Sequence, residues 1–230
     1  MKVNDIRKIF IAKLAREEFV VDKTGAKTIE IIGASFLADE PAIFGEPNAK
    51  YIKAELDWYD SQSTNINKLA EIYGKSPAAW EYCANEYGEI NSNYGEIAFA
   101  SKHYNQFHRA AAELIKNPDS RRAQIIYNRP SIWVEYDEDG KNDFICTNAQ
   151  TFYIRNNELH MVSQMRSNDA VFGYKNDYAW ARHLQTKMCS YLNACKPEGA
   201  SVIYAGELTW QVMSCHIYSR HFDLVVNHND

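Results

Sequence analysis

The sequence predicts an α+β protein with one large sheet, an expectation that rests on three features. In DFICTNAQTFYIRNNELHMVSQMRSND, residues 143–169, two β-prone runs flank Asn156-Asn157, and asparagine tolerates the backbone that a tight hairpin turn needs. From Asn176 to Cys195 the spacing turns helical, with Trp180, Leu184, Met188, Tyr191 and Leu192 largely on one side, a face fit to pack on a sheet. Further strand and helix patterns mix along a chain of 230 residues, whose 46% hydrophobic content suits one soluble domain with a sizeable core.

Val3, Ile6, Ile9, Phe10 and Leu14 predict an amphipathic helix over 3–18. Thr24-Gly25 marks a turn, and Thr28 to Phe36 reads as a long strand with Gly33 at its centre. Tyr51, Ile52, Leu56 and Tyr59 form an apolar stripe on a helix over 49–60, with Glu55 beside it. Another helical pattern surrounds Trp80 over 77–86, and a third runs from Lys102 to Lys116 until Asn117-Pro118 stops it. Gln124 to Tyr127 and Ser131 to Tyr136 read as strands. Asp137-Glu138-Asp139-Gly140 is then an exposed connection, with too few ligands following at calcium-loop spacing. After the hairpin Gly173 breaks the pattern. Gly199 to Trp210 reads as a strand, and residues 212–225 continue with alternating character, so His216 and Tyr218 point the same way.

Composition narrows the function. A formal charge of −5 gives no basic footprint for a nucleic-acid polymer, so a nucleotide role concerns monomers. Five cysteines, Cys83, Cys146, Cys189, Cys195 and Cys215, form an odd set without C-x-x-C spacing, which implies neither zinc nor a disulfide framework and points to a reducing, cytoplasmic setting. Lys2, Asp5, Arg7 and Lys8 break up any signal-peptide core, and no run approaches the roughly 18 apolar residues of a membrane span.

The hairpin places Cys146 and Arg166 on neighbouring strands, and Asp177 falls near a helix start, where a carboxylate is favoured. Such a set suits attack on a small, electron-poor ring with an anionic tail: the thiolate is the nucleophile, and Arg166 lowers its pKa while gripping phosphate in a bidentate fork. Spacing alone leaves blander readings open. Cys146 can be an inert buried residue, Lys23, Glu55 and the Arg121-Arg122 pair solvated charges, and Trp80, His216 and Tyr218 parts of the core.

The string MRSNDAVFGYKNDYAW, following a cysteine, resembles the core of the thymidylate synthase superfamily. That core has a nucleophilic Cys, a strand ending in Gln-Arg-Ser-x-Asp (here Met165-Arg166-Ser167-Asn168-Asp169), a Gly at 173 and a base-reading residue at 177. Within the superfamily it is most similar to the deoxycytidylate hydroxymethylases of T-even bacteriophages, over nearly the whole chain. The resemblance implies a thymidylate synthase-like fold, a mixed sheet packed with helices whose free face forms a homodimer interface.

It also implies roles. Cys146 adds to C6 of dCMP; Glu55, in YIKAELDWY, orders water and shuttles protons, a task that partial burial supports by raising its pKa. Tyr94, in Asn93-Tyr94-Gly95, joins the hydrogen-bond network, and Trp80 faces the carbon being transferred. Lys23, Arg166, Ser167 and Asn168 hold the nucleotide, His216 and Tyr218 the deoxyribose, and Arg121 and Arg122 of PDSRR reach the phosphate bound in the partner subunit. Trp80, Asp169 and Gly173 face 5,10-methylenetetrahydrofolate, the co-substrate, and no metal is implied. Asp177 stands where synthases carry Asn, and its carboxyl suits cytosine because it accepts from an N4 amine and supports a protonated N3.

The implied activity is deoxycytidylate 5-hydroxymethyl transfer. A reductive dCMP 5-methyltransferase, a CMP hydroxymethylase and a non-catalytic nucleotide-binding scaffold are the rivals, the last weakened by the joint presence of Cys146, Glu55 and Asp177. Two departures from synthases stand out: Lys replaces Arg at 23, losing the fork, and the chain stops at Asp230, short of the tail that closes over folate. The second fits an enzyme that admits water.

Overall fold

The computed structural model describes residues 1–22 and 24–229. Six strands, β1 (Val20–Val21), β2 (Lys27–Leu37), β3 (Gln124–Ile126), β4 (Thr147–Arg155), β5 (Glu158–Asp169) and β6 (Tyr204–Tyr218), form one sheet in the order β1-β2-β6-β5-β4-β3. Only β5 and β6 pair in parallel, so the sheet is mixed. The helices are α1 (Val3–Ala15), α2 (Ala49–Ser61), α3 (Ile66–Tyr73), α4 (Ala78–Cys83), α5 (Tyr94–Phe99), α6 (Gln106–Lys116), α7 (Ile132–Glu135), α8 (Gly173–Ala194) and α9 (Phe222–Val226). The α+β class read from the sequence is the one observed.

The β4–β5 hairpin turns at Asn156 and Asn157, with φ of 51° and 62°, the left-handed values a two-residue turn demands. The β5-to-β6 crossover contains α8, which begins at Gly173 rather than Asn176 and buries Trp180, Leu184, Met188 and Leu192 against the sheet. Trp180 Nε1 donates to the Tyr127 hydroxyl at 3.1 Å, and that hydroxyl donates to Gln150 Oε1 at 2.6 Å, so the buried polar atoms of this seam are paired. Edge-on aromatic contacts then run from Trp180 to Tyr59 (5.2 Å) on α2, while Tyr94 on α5 meets Tyr127 at 5.1 Å.

Several elements differ from expectation. Ser131–Tyr136 is no strand: Pro130 cannot donate to a ladder, Glu135 and Tyr136 amides bond back to Ser131 and Ile132, and the short helix α7 results. The helix at Trp80 is shorter than 77–86, and α6 starts only at Gln106, because Tyr104 and Asn105 adopt left-handed φ values of 65° and 46°. The strand expected from Gly199 begins at Tyr204 and continues unbroken to Tyr218.

The sheet carries an irregularity that alternation would not forecast. Buried positions in β6 run Leu208, Trp210, Val212 and then Cys215, Ile217; in β5 they run Leu159, Met161, Ser163, Met165 and then Asn168; in β2 Phe36 and Ala34 are followed by Ile29. Each strand thus skips one beat of its inward–outward period, and the skips coincide: Ser167 lies opposite Ser214, and Ser214 opposite Ile32. Gly33, with φ of +69°, supplies the left-handed residue in β2.

Helices α2 and α5 cross at Gly95, where an added Cβ would stand 1.8 Å from the Tyr59 carbonyl oxygen. Replacing Gly95 with Ala is therefore expected to destabilise the protein by about 3 kcal/mol or more, or to prevent folding. Chemical denaturation checks this, and a midpoint matching the parent would show that the helices can separate.

Candidate active site

Cys146 lies one residue before β4, half-buried, with its carbonyl accepting the Arg166 amide at 2.9 Å. Arg166 Nη2 lies 3.5 Å from Cys146 Sγ and donates to the Phe144 carbonyl at 2.6 Å, while Nε donates to the Ile145 carbonyl at 3.0 Å. The guanidinium also sits 4.9 Å from the Phe144 ring centroid. Nη1 makes no hydrogen bond among the described residues, so one arm remains for a ligand anion while the other fixes the fork beside the thiol.

Arg166 lowers the thiol's pKa, as expected, but is outweighed. Burial raises Cys146 above the ordinary thiol value; Arg166 opposes this without overcoming it, and the nearby Asp177 and Asp143 carboxyls push the same way as burial. In the free protein Cys146 is a protonated thiol with a cation at hand.

Glu55 faces the core side of α2 at 5% exposure. Burial lifts its pKa from 4.5 to about 7, against hydrogen bonds from Tyr51 and Trp80 that favour the charged form. The Tyr51 hydroxyl donates to Glu55 Oε1 at 2.5 Å, and Trp80 Nε1 lies 2.9 Å from that hydroxyl and 3.3 Å from Oε1. Tyr51, read from the sequence only as part of an apolar stripe, is thus a polar partner. Its spacing of one helical turn before Glu55 is the signal that identifies it.

Asp177, one turn into α8, accepts from Asn168 Nδ2 at 2.8 Å through Oδ2. Burial, then the Glu55 charge, hold its carboxyl well above the usual range, and the Asn168 bond offsets them in part. In a poorly solvated cleft, the Glu55 charge thus makes ionisation of Asp177 harder. Gly173 leaves the room for this pair, since a Cβ there would lie 3.0 Å from Asn168 Nδ2.

Tyr94 is buried on α5 beside Thr147, the residue after Cys146, and burial raises its hydroxyl far above the ordinary value. A residue missed by sequence reasoning, Asp143, accepts the backbone amides of Asn91 (2.9 and 3.0 Å) and Ser92 (2.8 Å) and so pins the approach to α5 against the Cys146 segment. Nothing in local spacing marks Asp143, because its partners lie about 50 residues away.

Across β2–β6–β5, Glu30, His216 and Asp169 stand in one row, and Tyr218 meets His216 at 5.1 Å between ring centroids. Ser167 is half-buried two residues from Asp169. Lys23 lies outside the described residues; its neighbours form a turn in which Asp22 Oδ1 accepts from the Thr24 and Ala26 amides at 2.8 and 3.0 Å. Arg121 and Arg122 are not brought to this cleft: both are exposed after α6, where Arg122 Nε pairs with Glu113 at 2.9 Å. Among the described residues no cluster of His, Cys, Asp and Glu offers a metal site, and no helix is long and apolar enough to cross a membrane.

The sheet thus carries a cysteine, an arginine and two acids beside its shared beat-skip. The thymidylate synthase family profile matches residues 12–229, and the chain belongs to that family. Two solved structures share the fold: thymidylate synthase from T4 phage (TM-score 0.71, 23% identity, 92% of this chain and 77% of that one) and thermostable thymidylate synthase A from Bacillus subtilis (TM-score 0.72, 19% identity, 99% and 83%). Similarity is far higher to two curated phage proteins. Deoxycytidylate 5-hydroxymethyltransferase of Enterobacteria phage T6 is 49% identical over 225 residues, and that of phage T4 is 48% identical, each match spanning 98% of this chain and 89% of the relative.

Two outcomes follow from the Glu55 environment. Replacing Tyr51 with Phe removes a bond that favours the carboxylate, so the Glu55 pKa, about 7 in the parent, is expected to rise, moving the acidic limb of the pH–rate profile upward. A profile identical to the parent's would dissociate Glu55 from that limb. For stability, the raised carboxyl costs nothing below pH 4.5 and progressively destabilises the fold as pH rises through about 7. The Glu55→Gln variant should therefore gain on the parent between pH 5 and pH 8, by up to roughly 3 kcal/mol in denaturant titrations.

Proposed function

We propose that this protein is a deoxycytidylate 5-hydroxymethyltransferase. The observation that carries the reading is Asp177: an acid held largely neutral by burial, beside Cys146 and Glu55, at the position where a pyrimidine edge must be read. A carboxylic acid donates from its O–H to the cytosine N3 and accepts from the N4 amine, and the ionised acid matches the N3-protonated ring equally well. Uracil presents a donor at N3 and an acceptor at O4, and the neutral acid does not meet both without rearranging its proton.

Cytosine C5 is too weak a nucleophile to take a one-carbon unit unaided. Addition of Cys146 Sγ to C6 moves the electron pair of the C5–C6 double bond to C5, dividing one difficult step into two easier ones. 5,10-Methylenetetrahydrofolate is the co-substrate that supplies the carbon, with Trp80, Asp169 and Gly173 on its side of the cleft. Exposed Phe172, at the head of α8 beside Asp169 and Gly173, offers it a flat apolar face. Loss of the C5 proton expels tetrahydrofolate and leaves an exocyclic methylene on the ring; hydroxide adds to that methylene, the S–C6 bond breaks to restore the C5–C6 double bond, and Cys146 returns to its thiol. Glu55, with a pKa of about 7, exchanges those protons and activates the water at neutral pH.

The phosphate falls to Nη1 of Arg166, to Ser167 and to Lys23, and the deoxyribose to His216 and Tyr218. Arg121 and Arg122, exposed and remote from the cleft of their own chain, serve the phosphate site of a second copy docked on the free face of the sheet. A homodimer with shared sites is thus part of the proposal, as is action in the cytoplasm of a phage-infected cell.

Mass spectrometry of the product formed from dCMP and methylenetetrahydrofolate, with dUMP and CMP in parallel, tests the reading. A hydroxymethyl adduct on dCMP alone is expected; a methyl adduct with dihydrofolate, a product from CMP, or no product each supports a rival. Replacing Asp177 with Asn should shift preference from dCMP toward dUMP by about 3 kcal/mol, near a hundredfold in competition assays. Unchanged selectivity would remove Asp177 from base reading.

A further inference from the structure

Asn168 occupies a place where an amide is an awkward fit. It is 3% exposed on β5, on the core side of the sheet, and its Oδ1 is buried without a hydrogen-bond partner among the described residues. An orphaned buried acceptor costs about 1–3 kcal/mol, and an apolar side chain of similar size would remove the cost. What the amide supplies in return is its one bond, from Nδ2 to Asp177 Oδ2 at 2.8 Å. The surroundings accommodate that bond, since the Cα of Gly173 leaves open the space beside Nδ2 that any larger residue would invade.

We propose that Asn168 is a positioning residue for base selection: by donating to Oδ2 it makes that oxygen the acceptor of the Asp177 acid, places the acid proton on Oδ1, and fixes the carboxyl plane toward the pyrimidine edge. The inference deepens the reading of Asp177 given above and rests on it. A carboxyl free to rotate about its Cβ–Cγ bond presents donor and acceptor in either order and separates cytosine from uracil poorly. One anchored through a single oxygen presents them in a fixed order. Oδ2 retains a second lone pair, so it serves Asn168 and the N4 amine together while Oδ1–H meets N3.

The anchor also acts on protonation. The groups facing Asp177 are Glu55, Tyr51 and Tyr59 from α2, Tyr94 from α5, Cys146, and Asp169 and Asn168 from β5. Among these, the acids Glu55 and Asp169 favour the neutral carboxyl, and Asn168 favours the ionised one. Its removal should shift the Asp177 equilibrium further toward the neutral acid.

The test measures binding of dCMP and dUMP by calorimetry between pH 5 and pH 9, without folate, for the parent, Asn168→Leu and Asn168→Asp. Asn168→Leu is expected to melt at or above the parent temperature, to lose roughly tenfold in dCMP affinity with dUMP affinity little changed, and to carry its pH dependence to higher pH. Asn168→Asp, nearly identical in shape, replaces the donor with an acid and should weaken dCMP most at the alkaline end, where two carboxylates repel. It decides the matter should the leucine variant fail to fold. A parent that prefers dCMP while the folded variants match its selectivity and pH profile overturns this inference alone. A parent without that preference overturns the functional reading and this inference with it.

Discussion

Three neighbouring strands lose one beat of their alternation at the same level, and the site exists because of it. Carried on without the skip, the period set by Leu208, Trp210 and Val212 would bury Ser214, His216 and Tyr218, and that set by Met161 and Met165 would bury Ser167 and Asp169. Desolvating that many polar side chains without partners costs more than a small domain's net stability. With the skip, Cys215, Ile217 and Asn168 turn inward, and the polar residues form a connected surface. Because all three strands shift together, the ladder hydrogen bonds across β2–β6–β5 stay in register, and the distortion is confined to backbone such as that of Gly33.

Burial then sets the chemistry. Glu55 and Asp177 come from α2 and α8, helices that pack through Tyr59 and Trp180, so the aromatic seam that stabilises the fold also keeps water from both acids. The two respond differently because their partners differ. Glu55 accepts from the Tyr51 hydroxyl, with Trp80 Nε1 close to both, and settles near 7, where a proton is exchanged readily. Asp177 has one amide donor and an acidic neighbour, and burial holds its carboxyl well above the usual range. In the proposed reaction, one dry cleft therefore holds an acid that moves protons and an acid that holds one still.

Much of this was legible in the sequence where a local rule governs. The Asn156-Asn157 turn, the apolar stripe of α8 and the juxtaposition of Cys146 with Arg166 all follow from spacing and turn chemistry, whereas α2 buries Ala54, Glu55, Trp58 and Tyr59 and shares only Tyr59 with the stripe read for it. The beat-skip was not legible, because period-two reading assumes an unbroken strand, and Met213-Ser214 or Arg166-Ser167 looks like ordinary alternation until two neighbours share the defect. Ser131–Tyr136 misled for a related reason: β-prone Ile132, Trp133 and Val134 suggest a strand, but the edge of β4 is already taken by β3 and Pro130 offers no donor. Asp143 was invisible because its significance lies in loop amides far along the chain.

The state of the thiol ties these threads together. Cys146 stays protonated in the free protein because burial and two nearby carboxyls outweigh one guanidinium. Arg166 is nevertheless locked in place by the Phe144 and Ile145 carbonyls, so its charge need not be recruited when sulfur begins to carry negative charge. A nucleotide entering the cleft displaces water from around this pair and strengthens their attraction, since a charge pair gains as the local dielectric falls. In the empty cleft a protonated thiol is less exposed to oxidation than a thiolate.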